Sequence, residues 1–462
     1  MDVQGKRVIV MGLGNFSGGV SAAQFMAARG ARVIVTDLAG TDKLSESLAA
    51  IVDLPIEAFR LGGHRESDFS EADLVIASPA VREDNPFLQI ARAHGATITT
   101  EMNLFFQLCP AEIIGVTGSN GKSTTAAMIH SMLQTAFGSC WLGGNIGHSL
   151  LHCVDEIRPG DTVVLELSSF QLEDLGDLKR SPNTAVVTTF TPNHLDRHSS
   201  LESYRKAKQT VLQYQQPNDL AILNADDPEV KTWPTCGQVH FYGLGDHGKD
   251  GTFWDGDHIV IRREGNHSRV KVMDVMRLPG IHNQSNAAGA ICCASALGAD
   301  CESIRRALCD FKALPHRLEF IGERNGRSFY DDSIATTPES TLAALEALSH
   351  PIWLIAGGYD KGLDLNSVAE RIAHRVEGLA LIGQTAGTIQ QLVKKRQTLK
   401  RVRDCTSMEE AVAWCFDNSK PGDAILLSPA CASFGMFQNF VERGRVFRQA
   451  VHGLALPLNQ AG

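Results

Sequence analysis

The sequence predicts an α/β protein made of three consecutive domains, and three observations support this fold class. The chain has 462 residues, about three times the length of an average domain. Short β-branched runs alternate with amphipathic segments, as in parallel sheets covered by helices. A glycine-rich segment near residue 120 joins an apolar run to a helical pattern, which is typical of a strand–turn–helix unit.

The first domain is expected over residues 1–101, as a Rossmann-like, doubly wound parallel sheet. Its strand candidates are 7–11, 32–36, 73–77 and 97–100, and its first helix candidate is 20–29.

The middle domain is expected over 102–313, with a mainly parallel sheet around the glycine-rich segment. Its buried-strand candidates are 112–116, 162–167, 184–189 and 220–224. Alternating apolar and charged residues predict hairpins over 238–274, and two helices follow at 284–297 and 302–309. The third domain, 314–462, is again Rossmann-like, with strand candidates 352–356, 378–382 and 423–428.

Composition and charge exclude several classes of function. The chain contains 43 Lys and Arg against 52 Asp and Glu, without a basic cluster dense enough to bind nucleic acid. Its sequence shows neither a signal-peptide pattern nor an apolar stretch of membrane-spanning length. The eleven cysteines include no CxxC pair and are typical of reduced core residues. We therefore expect a cytoplasmic protein that binds neither nucleic acid nor a membrane.

Residues 117–124, Thr-Gly-Ser-Asn-Gly-Lys-Ser-Thr, predict a loop that binds the phosphates of ATP or GTP. A glycine turn between a strand and a helix directs backbone N–H groups and the positive end of the helix dipole at one point. Lys122 supplies a charge for the outer phosphates, and the Ser123 hydroxyl can bind Mg²⁺. The general motif has glycine where this chain has Val116, whereas the glycine here is Gly118. The alternative interpretation is a chance glycine-rich helix entry.

A second glycine turn follows the first predicted strand at Gly12, Gly14 and Gly18, and Asp37 ends the second strand. This arrangement is similar to a dinucleotide-binding turn in which an acidic residue binds a ribose hydroxyl. Ser17 occupies the place of the third glycine, so the turn is only weak evidence for NAD. A turn that binds another nucleotide, such as the diphosphate of a UDP-sugar, is equally compatible.

Two kinds of polar residue follow strands of the middle domain. Glu166 ends a buried strand beside the phosphate loop and can bind Mg²⁺, although a surface glutamate is the alternative. His194 and His198 are four residues apart, but Pro192 predicts a loop, so a helical zinc pair is not expected. The alternative for His194 is a capping or core histidine.

Further polar residues lie on predicted helices. Lys208 belongs to a basic segment for which a solvated helix face is the usual arrangement. Asn283 and Asn286 open a helix and either cap it or offer the paired donor and acceptor that an adenine edge needs.

The motifs taken together resemble the Mur ligases of bacterial cell-wall synthesis. The phosphate loop has the variant of that family, with glycine at 118, and the resemblance covers essentially all 462 residues and their domain order. The stretches that carry it are 117–124, 143–147, 166–173, 314–319, 427–434 and 437–444. The last two are most similar to the branch of the family that adds glutamate.

The resemblance implies an ATP-dependent ligase that adds D-glutamate to UDP-N-acetylmuramoyl-L-alanine through an acyl phosphate, releasing ADP and phosphate. It further implies two Mg²⁺ ions and a carbamylated Lys208, that is, N6-carboxylysine. The partners are then small-molecule substrates only, and we expect a monomer.

The resemblance also implies a role for individual residues. The catalytic residues are Lys122, Glu166, His194 and Lys208. The metal ligands are Ser123, Glu166, His194 and carbamylated Lys208. The residues that bind the nucleotide are Gly118, Ser119, Asn120, Gly121, Lys122, Ser123, Thr124, Asn283, Asn286, Arg317 and Asp332. The UDP portion is bound by Gly14, Asn15, Phe16 and Asp37, and the muramyl portion by Asn145 and Ser168. The incoming glutamate is bound by Thr336, Lys361, Ser433, Phe434 and Phe440.

Two departures from the family pattern bear on substrate recognition. Ile334 stands where the family usually has lysine, which removes a positive charge near the nucleotide or amino-acid site. Leu38 and Ala39 follow Asp37, without the arginine that some members place near uridine diphosphate.

Three alternative functions remain at this point. A folylpolyglutamate synthase-like ligase would share the loop and the lysine, but it lacks a UDP-binding first domain of this type. An NAD-linked oxidoreductase would use the first glycine turn. A non-catalytic nucleotide switch would use the phosphate loop for regulation alone.

Overall fold

The computed structural model describes residues 1–14, 17–193, 198, 200–396 and 401–454. These residues form three sheets, each covered by helices, which confirms the predicted fold class. The chain divides into two compact units, one made of Met1–Met276 with Ser285–Asp310 and the other of Arg277–Gln284 with Phe311–Gly462. The first unit contains two sheets and the second unit contains one. The expected domain limits near residues 101 and 313 remain predictions.

The first sheet of unit 1 has five parallel strands in the order β3-β2-β1-β4-β5. Its elements are β1 Arg7–Met11, α1 Ser17–Ala28, β2 Arg32–Asp37, α2 Ser45–Ala49, β3 Ile56–Leu61, α3 Glu66–Ser70, β4 Leu74–Ala77, α4 Pro86–Ala93 and β5 Thr97–Thr99. The strand order reverses between β1 and β4, and the carboxyl ends at such a point form a ligand-binding crevice. The glycine turn after β1 lies at this crevice.

The second sheet of unit 1 has nine strands in the order β14-β13-β12-β11-β10-β9-β6-β8-β7. Its strands are β6 Glu112–Thr117, β7 Cys140–Gly144, β8 Thr162–Glu166, β9 Thr184–Val187, β10 Leu220–Asn224, β11 Gln238–Gly243, β12 Gly251–Asp255, β13 His258–Arg263 and β14 Asn266–Lys271. Its helices are α5 Glu101–Leu108, α6 Lys122–Phe137, α7 Ser169–Leu178, α8 Leu201–Gln213, α9 Ile281–Ala296 and α10 Cys301–Asp310.

Strand directions in this sheet correct one prediction. The hairpins expected over 238–274 are present between β12 and β13 and between β13 and β14, which pair antiparallel. Strand β11 instead pairs parallel with both β10 and β12, so it extends the parallel part of the sheet. Strand β6 lies between β8 and β9, which brings the carboxyl ends of three parallel strands to the glycine-rich loop.

The sheet of unit 2 has six strands in the order β15-β16-β20-β17-β18-β19. Its elements are β15 Glu319–Arg324, β16 Arg327–Asp331, α11 Pro338–Ala347, β17 Ile352–Ala356, α12 Asn366–Arg375, β18 Val376–Leu381, α13 Ala386–Lys394, β19 Val402–Asp404, α14 Met408–Asn418, β20 Ala424–Leu427 and α15 Phe440–His452. Only β15 runs antiparallel to its neighbour within this sheet of the described chain.

The predicted elements match closely where the strands are fully buried. Strands β1, β10 and β17 have the predicted bounds, and the other predicted elements differ by one to three residues at their ends. Strand β3 was not predicted, because its residues are partly or fully exposed and include Glu57 and Arg60. Among the described residues, no helix combines the length and apolar composition needed to cross a membrane.

Candidate active site

The phosphate loop joins β6 to α6 and depends on two glycines. Gly118 has φ +146° and Gly121 has φ +83°, conformations that side chains with a Cβ rarely adopt. A Cβ on Gly118 would also lie 1.9 Å from Thr188 Oγ1. Val116, where the general motif has glycine, is a completely buried residue of β6. The displaced glycine therefore marks the point at which the chain leaves the strand.

The segment after β9 holds the loop in shape. The Ser119 N–H donates to the Thr189 carbonyl at 2.6 Å, and Ser119 Oγ donates to the Thr191 carbonyl at 2.8 Å. Thr188 Oγ1 donates to the Asn120 carbonyl at 2.5 Å, and the Asn120 N–H donates to Thr189 Oγ1 at 3.1 Å. These bonds fix the loop before any ligand binds.

Lys122 and Ser123 open α6, directly after the loop. Lys122 Nζ donates to the Ser119 carbonyl at 3.1 Å, so the ammonium group lies over the loop. Asn286 lies beside the same loop: its Oδ1 is 2.3 Å from the position of a Cβ on Gly121 and accepts a bond from Thr125 Oγ1 at 3.4 Å. The structure therefore places Asn286 next to the phosphate loop, and its nucleotide role stays a prediction.

Glu166 ends β8 and is 2% exposed. It pairs in register with Val116 of β6, so its carboxylate lies beside the loop. Asn145 donates to it twice, from Nδ2 to Oε1 at 2.9 Å and from its backbone N–H to the Glu166 carbonyl at 2.8 Å. Glu166 Oε2 is buried and has no hydrogen-bond partner among the described residues. A buried carboxylate oxygen left open beside a phosphate loop fits a divalent cation.

Lys208 is 2% exposed on α8, so the alternative interpretation of a solvated basic face is wrong for this residue. Its Nζ donates to the Gly118 carbonyl at 2.8 Å and lies 4.9 Å from the centre of the Tyr204 ring. Burial lowers the pKa of the Lys208 amine, and the nearby Lys122 cation lowers it further, while Glu166 acts in the opposite direction. The structure thus brings Lys122, Glu166 and Lys208 together at the loop.

Four further residues that were predicted to belong to the site have different outcomes. His194, Asn15 and Phe16 lie outside the described residues. Ser168 is the N-cap of α7, where its Oγ accepts the Gln171 N–H at 3.2 Å in a capping box. The side chain predicted to contact the muramyl group therefore has a structural role in this helix.

The first glycine turn is held by Asp37. Asp37 Oδ2 accepts the Gly14 N–H at 3.0 Å, and Oδ1 accepts the Ala39 N–H at 2.8 Å. Leu38, next to it, is 72% exposed. His64, which is not among the sequence candidates, lies at the same sheet edge with its Nδ1 2.7 Å from Thr36 Oγ1. It follows β3 in a Gly-Gly-His segment.

Three nucleotide-binding candidates lie in unit 2. Asp332 is 5% exposed, and its oxygens accept the Leu318 N–H at 3.0 Å and Ser428 Oγ at 2.7 Å. Burial raises the pKa of Asp332 to about 7. Asn283 Nδ2 donates to the Pro279 carbonyl at 2.7 Å. Arg317 is the third, and its charge adds to burial in lowering the pKa of the nearby His282 to about 4.

The candidate glutamate residues follow the carboxyl ends of β16, β17 and β20, which are neighbours in the sheet of unit 2. Lys361 Nζ lies 5.7 Å from the centre of the Phe434 ring. Ser433 is 5% exposed, and the Phe440 carbonyl accepts Ser333 Oγ at 2.7 Å. Thr336 follows β16, two residues after Ile334, and its N–H donates to the Ile334 carbonyl at 2.8 Å.

Three family models match the chain in succession. A Mur ligase MurD-like N-terminal domain matches residues 6–100, a Mur ligase middle domain matches residues 116–294, and a Mur ligase glutamate ligase domain matches residues 316–431.

Relatives of similar length match from end to end. A protein named UDP-N-acetylmuramoylalanine--D-glutamate ligase from Roseiflexus sp. (strain RS-1) is 42% identical, over 98% of this chain and 99% of the relative. Proteins of the same name from Symbiobacterium thermophilum and Acetivibrio thermocellus are 38% and 36% identical. Their matches cover 97% and 98% of this chain and 98% and 97% of the relatives.

Solved structures share the fold. UDP-N-acetylmuramate-alanine ligase MurC from Thermotoga maritima has a TM-score of 0.66 at 20% identity, covering 97% of this chain and 99% of that chain. MurF ligase from Thermotoga maritima in complex with ADP has a TM-score of 0.60 at 16% identity, covering 98% and 99%. Because the sequence matches extend over the whole chain at up to 42% identity, the chain belongs to the Mur ligase family.

Proposed function

We propose that this chain is the ATP-dependent ligase that joins D-glutamate to UDP-N-acetylmuramoyl-L-alanine in peptidoglycan precursor synthesis. The end-to-end match to relatives of that name is the observation that carries this proposal. The geometry supports it, since a phosphate loop, a buried carboxylate and a buried lysine meet at one sheet edge. The oxidoreductase and folylpolyglutamate alternatives are not favoured. A monomer acting in the cytoplasm is part of the same proposal.

The reaction must turn a carboxylate into an electrophile. A carboxylate reacts poorly with amines because its leaving group would be oxide. Transfer of the γ-phosphoryl group of ATP to an oxygen of the L-alanine carboxylate gives an acyl phosphate and ADP. The amino group of glutamate then attacks the carbonyl carbon, loses a proton, and releases phosphate as the amide bond forms.

The loop residues bind and orient ATP in this proposal. The glycine-rich loop and the N-terminus of α6 face the phosphates, and Lys122 neutralises their charge. Because the bonds from the segment 188–191 already fix the loop, little reorganisation is needed when ATP binds. Asn286, beside Gly121, is assigned to the nucleotide, and the family resemblance assigns Asn283, Arg317 and Asp332 to it as well.

Mur ligases use Mg²⁺, and the open Oε2 of Glu166 is the observation that fits such an ion here. Among the described residues, no group of three or more His, Cys, Asp or Glu side chains is arranged to bind a metal. As the family resemblance implies, we assign Ser123 with Glu166 to one ion, and His194 with carbamylated Lys208 to a second. When bound, Mg²⁺ reduces the repulsion between the γ-phosphate and the substrate carboxylate.

Burial of Lys208 supports its carbamylation. A neutral amine is the form that attacks CO₂, and the lowered pKa of Lys208 favours that form. The nitrogen lone pair bonds to the carbon of CO₂ and a proton leaves, which yields a carbamate anion. That anion replaces a buried amine beside Lys122 with a group that can bind a metal.

The substrate contacts complete the proposal. The UDP portion is assigned to Gly14, Asn15, Phe16 and Asp37. Asn145 and Ser168 are assigned to the muramyl portion, although their side chains also bond within the protein. The glutamate is assigned to Thr336, Lys361, Ser433, Phe434 and Phe440.

A direct assay tests this function. The protein is incubated with ATP, Mg²⁺, UDP-N-acetylmuramoyl-L-alanine and either enantiomer of glutamate, and product mass and phosphate are measured. We expect a product one glutamate residue heavier with D-glutamate, and its loss in Lys122→Ala and Glu166→Ala. Product with L-glutamate alone, or turnover unaffected by both substitutions, would contradict the proposal. The same assay tests whether Ile334, which stands where the family usually has lysine, alters the choice of amino acid.

A further inference from the structure

Arg443 is a buried cation at the candidate glutamate site. It lies on α15 with 0% of its surface exposed. Burial lowers the pKa of its guanidinium to about 10, so the group stays charged at neutral pH. A buried charge is costly unless its donors are bonded, so the partners of Arg443 define what it does.

The guanidinium of Arg443 joins segments that are distant in sequence. Its Nη2 and Nε donate to the carbonyl and hydroxyl oxygens of Ser333 at 2.7 Å and 3.1 Å. Its Nη1 donates to the Cys431 carbonyl at 3.0 Å. Ser333 Oγ in turn donates to the Phe440 carbonyl at 2.7 Å. One side chain thus connects the loop after β16, the loop after β20 and the first turn of α15.

The loop after β17 packs against the same group. A Cβ on Gly358 would lie 3.3 Å from Arg443 Nη1 and 2.2 Å from the Ala432 carbonyl oxygen. The Gly358 N–H donates to Thr385 Oγ1 at 3.0 Å, and that hydroxyl lies 3.3 Å from Cys431 Sγ. Arg443 therefore contacts the loops that follow the carboxyl ends of three adjacent parallel strands, β16, β20 and β17.

The candidate glutamate residues belong to these same segments. Thr336 follows Ser333 in the loop after β16, and Ser433 follows Cys431 in the loop after β20. Phe440 is itself bonded to Ser333. A shift of any one loop would therefore change the spacing of residues that must contact one small ligand together.

We propose that Arg443 is a positioning residue for the amino-acid substrate. It holds the three loops and the start of α15 in the arrangement in which Thr336, Ser433 and Phe440 contact glutamate together. This inference rests on the proposed function, since the glutamate role of those residues is part of it.

Steady-state kinetics of Arg443→Met and Arg443→Lys test the inference. The control is Arg445→Met, because Arg445 is exposed on the same helix. For Arg443→Met we expect the KM for glutamate to rise about tenfold or more, because misplacement of about 1 Å has effects of this size or larger. The KM values for ATP and the UDP substrate should stay within about twofold. Arg443→Lys should be intermediate, and Arg445→Met unchanged.

Chemical rescue separates positioning from general stability. Added guanidinium should lower the raised KM for glutamate in Arg443→Ala and leave the wild-type value unchanged. A folded Arg443→Met variant with the wild-type KM for glutamate would overturn the inference, as would an equal rise in all three KM values.

A milder variant covers the case in which Arg443→Met fails to fold. Ser333→Ala removes one hydroxyl partner and leaves the guanidinium in place, and we expect about a threefold rise in the KM for glutamate. An unchanged KM for glutamate in both Ser333→Ala and Arg443→Lys would then reject the inference. Failure of the proposed function itself is visible separately, as absence of glutamate product with the wild-type protein.

Discussion

The phosphate loop and the candidate glutamate site are built in different ways. The loop needs two glycine conformations within four residues, and one neighbouring segment holds it. The candidate glutamate site is assembled around Arg443, whose partner Ser333 is 110 residues away in the chain. A site of the first kind can be identified from a short motif, whereas a site of the second kind depends on contacts that only the folded chain brings together.

The phosphate loop and the candidate glutamate site should respond differently to substitution. In the loop, a single added methyl group meets backbone and side-chain atoms that cannot move without changing the loop itself. In the candidate glutamate site, several hydrogen bonds from Arg443 hold the loops together. Loss of one of them should therefore weaken glutamate binding only in part. The first two predictions below test this difference at the loop, where the largest effects are expected, and the third concerns a buried carboxyl group elsewhere in unit 1.

Lys208→Ala should have the largest effect, a loss of about 10²–10³-fold in kcat, because it removes a buried group at the proposed phosphate site. Added formate or acetate should restore part of the activity by replacing the carbamate. The matched control is Lys206→Ala on the same helix, where the side chain is 73% exposed and activity should not change. Absence of any rescue would argue against carbamylation.

Gly118→Ala should raise the KM for ATP by about 10- to 100-fold, since backbone strain of this kind costs about 1–3 kcal/mol. The substitution would also place a Cβ 2.9 Å from the Thr189 backbone nitrogen. Gly176→Ala is the control, because Gly176 lies in α7 where an added Cβ would face open space. Equal KM values for the two variants would show that the loop tolerates a side chain.

Glu101→Gln should have the smallest effect, and it should depend on pH. Glu101 opens α5 and accepts a hydrogen bond from Ser149 Oγ, and burial raises its pKa to about 7. Because the folded protein holds this proton more tightly than the unfolded chain does, stability from this group is present at low pH. It is lost as the pH rises from the ordinary value of a glutamate, about 4.5, through 7.

Thermal unfolding at two pH values measures this effect. Relative to the wild type, Glu101→Gln should raise Tm by about 2–5 °C at pH 8 and leave it nearly unchanged at pH 5. Asp332→Asn is the comparison in unit 2, because both Asp332 oxygens already accept hydrogen bonds and an amide would lose one of them. It should lower Tm at pH 5 and lower it less at pH 8, because burial raises the pKa of Asp332 to about 7 as well and the amide avoids the buried charge. The same Tm difference for Glu101→Gln at pH 5 and pH 8 would contradict the raised pKa.

Much of the fold and part of the site could be predicted from sequence, for physical reasons. Buried parallel strands such as β10 and β17 are continuous apolar runs, so their bounds are visible in the sequence. Partly exposed strand β3 lacks that signal. The phosphate loop was predictable because its chemistry depends on consecutive residues.

Residues whose role depends on burial were harder to predict. Lys208 looked like part of a basic surface, although Tyr204, Ala207 and Val211 place it on the buried stripe of α8. That spacing was a signal in the sequence. Arg443 had no such signal, because its partners come from other segments of the chain.

One isotope experiment tests the central claim most directly. UDP-N-acetylmuramoyl-L-alanine labelled with ¹⁸O in both oxygens of its terminal carboxylate is incubated with ATP, Mg²⁺ and D-glutamate, and the released phosphate is analysed by mass. An acyl phosphate requires that one carboxylate oxygen leaves with the phosphate, so we predict one ¹⁸O atom in each phosphate formed. Phosphate without the label, formed alongside the amide product, would contradict activation of the carboxylate at this site.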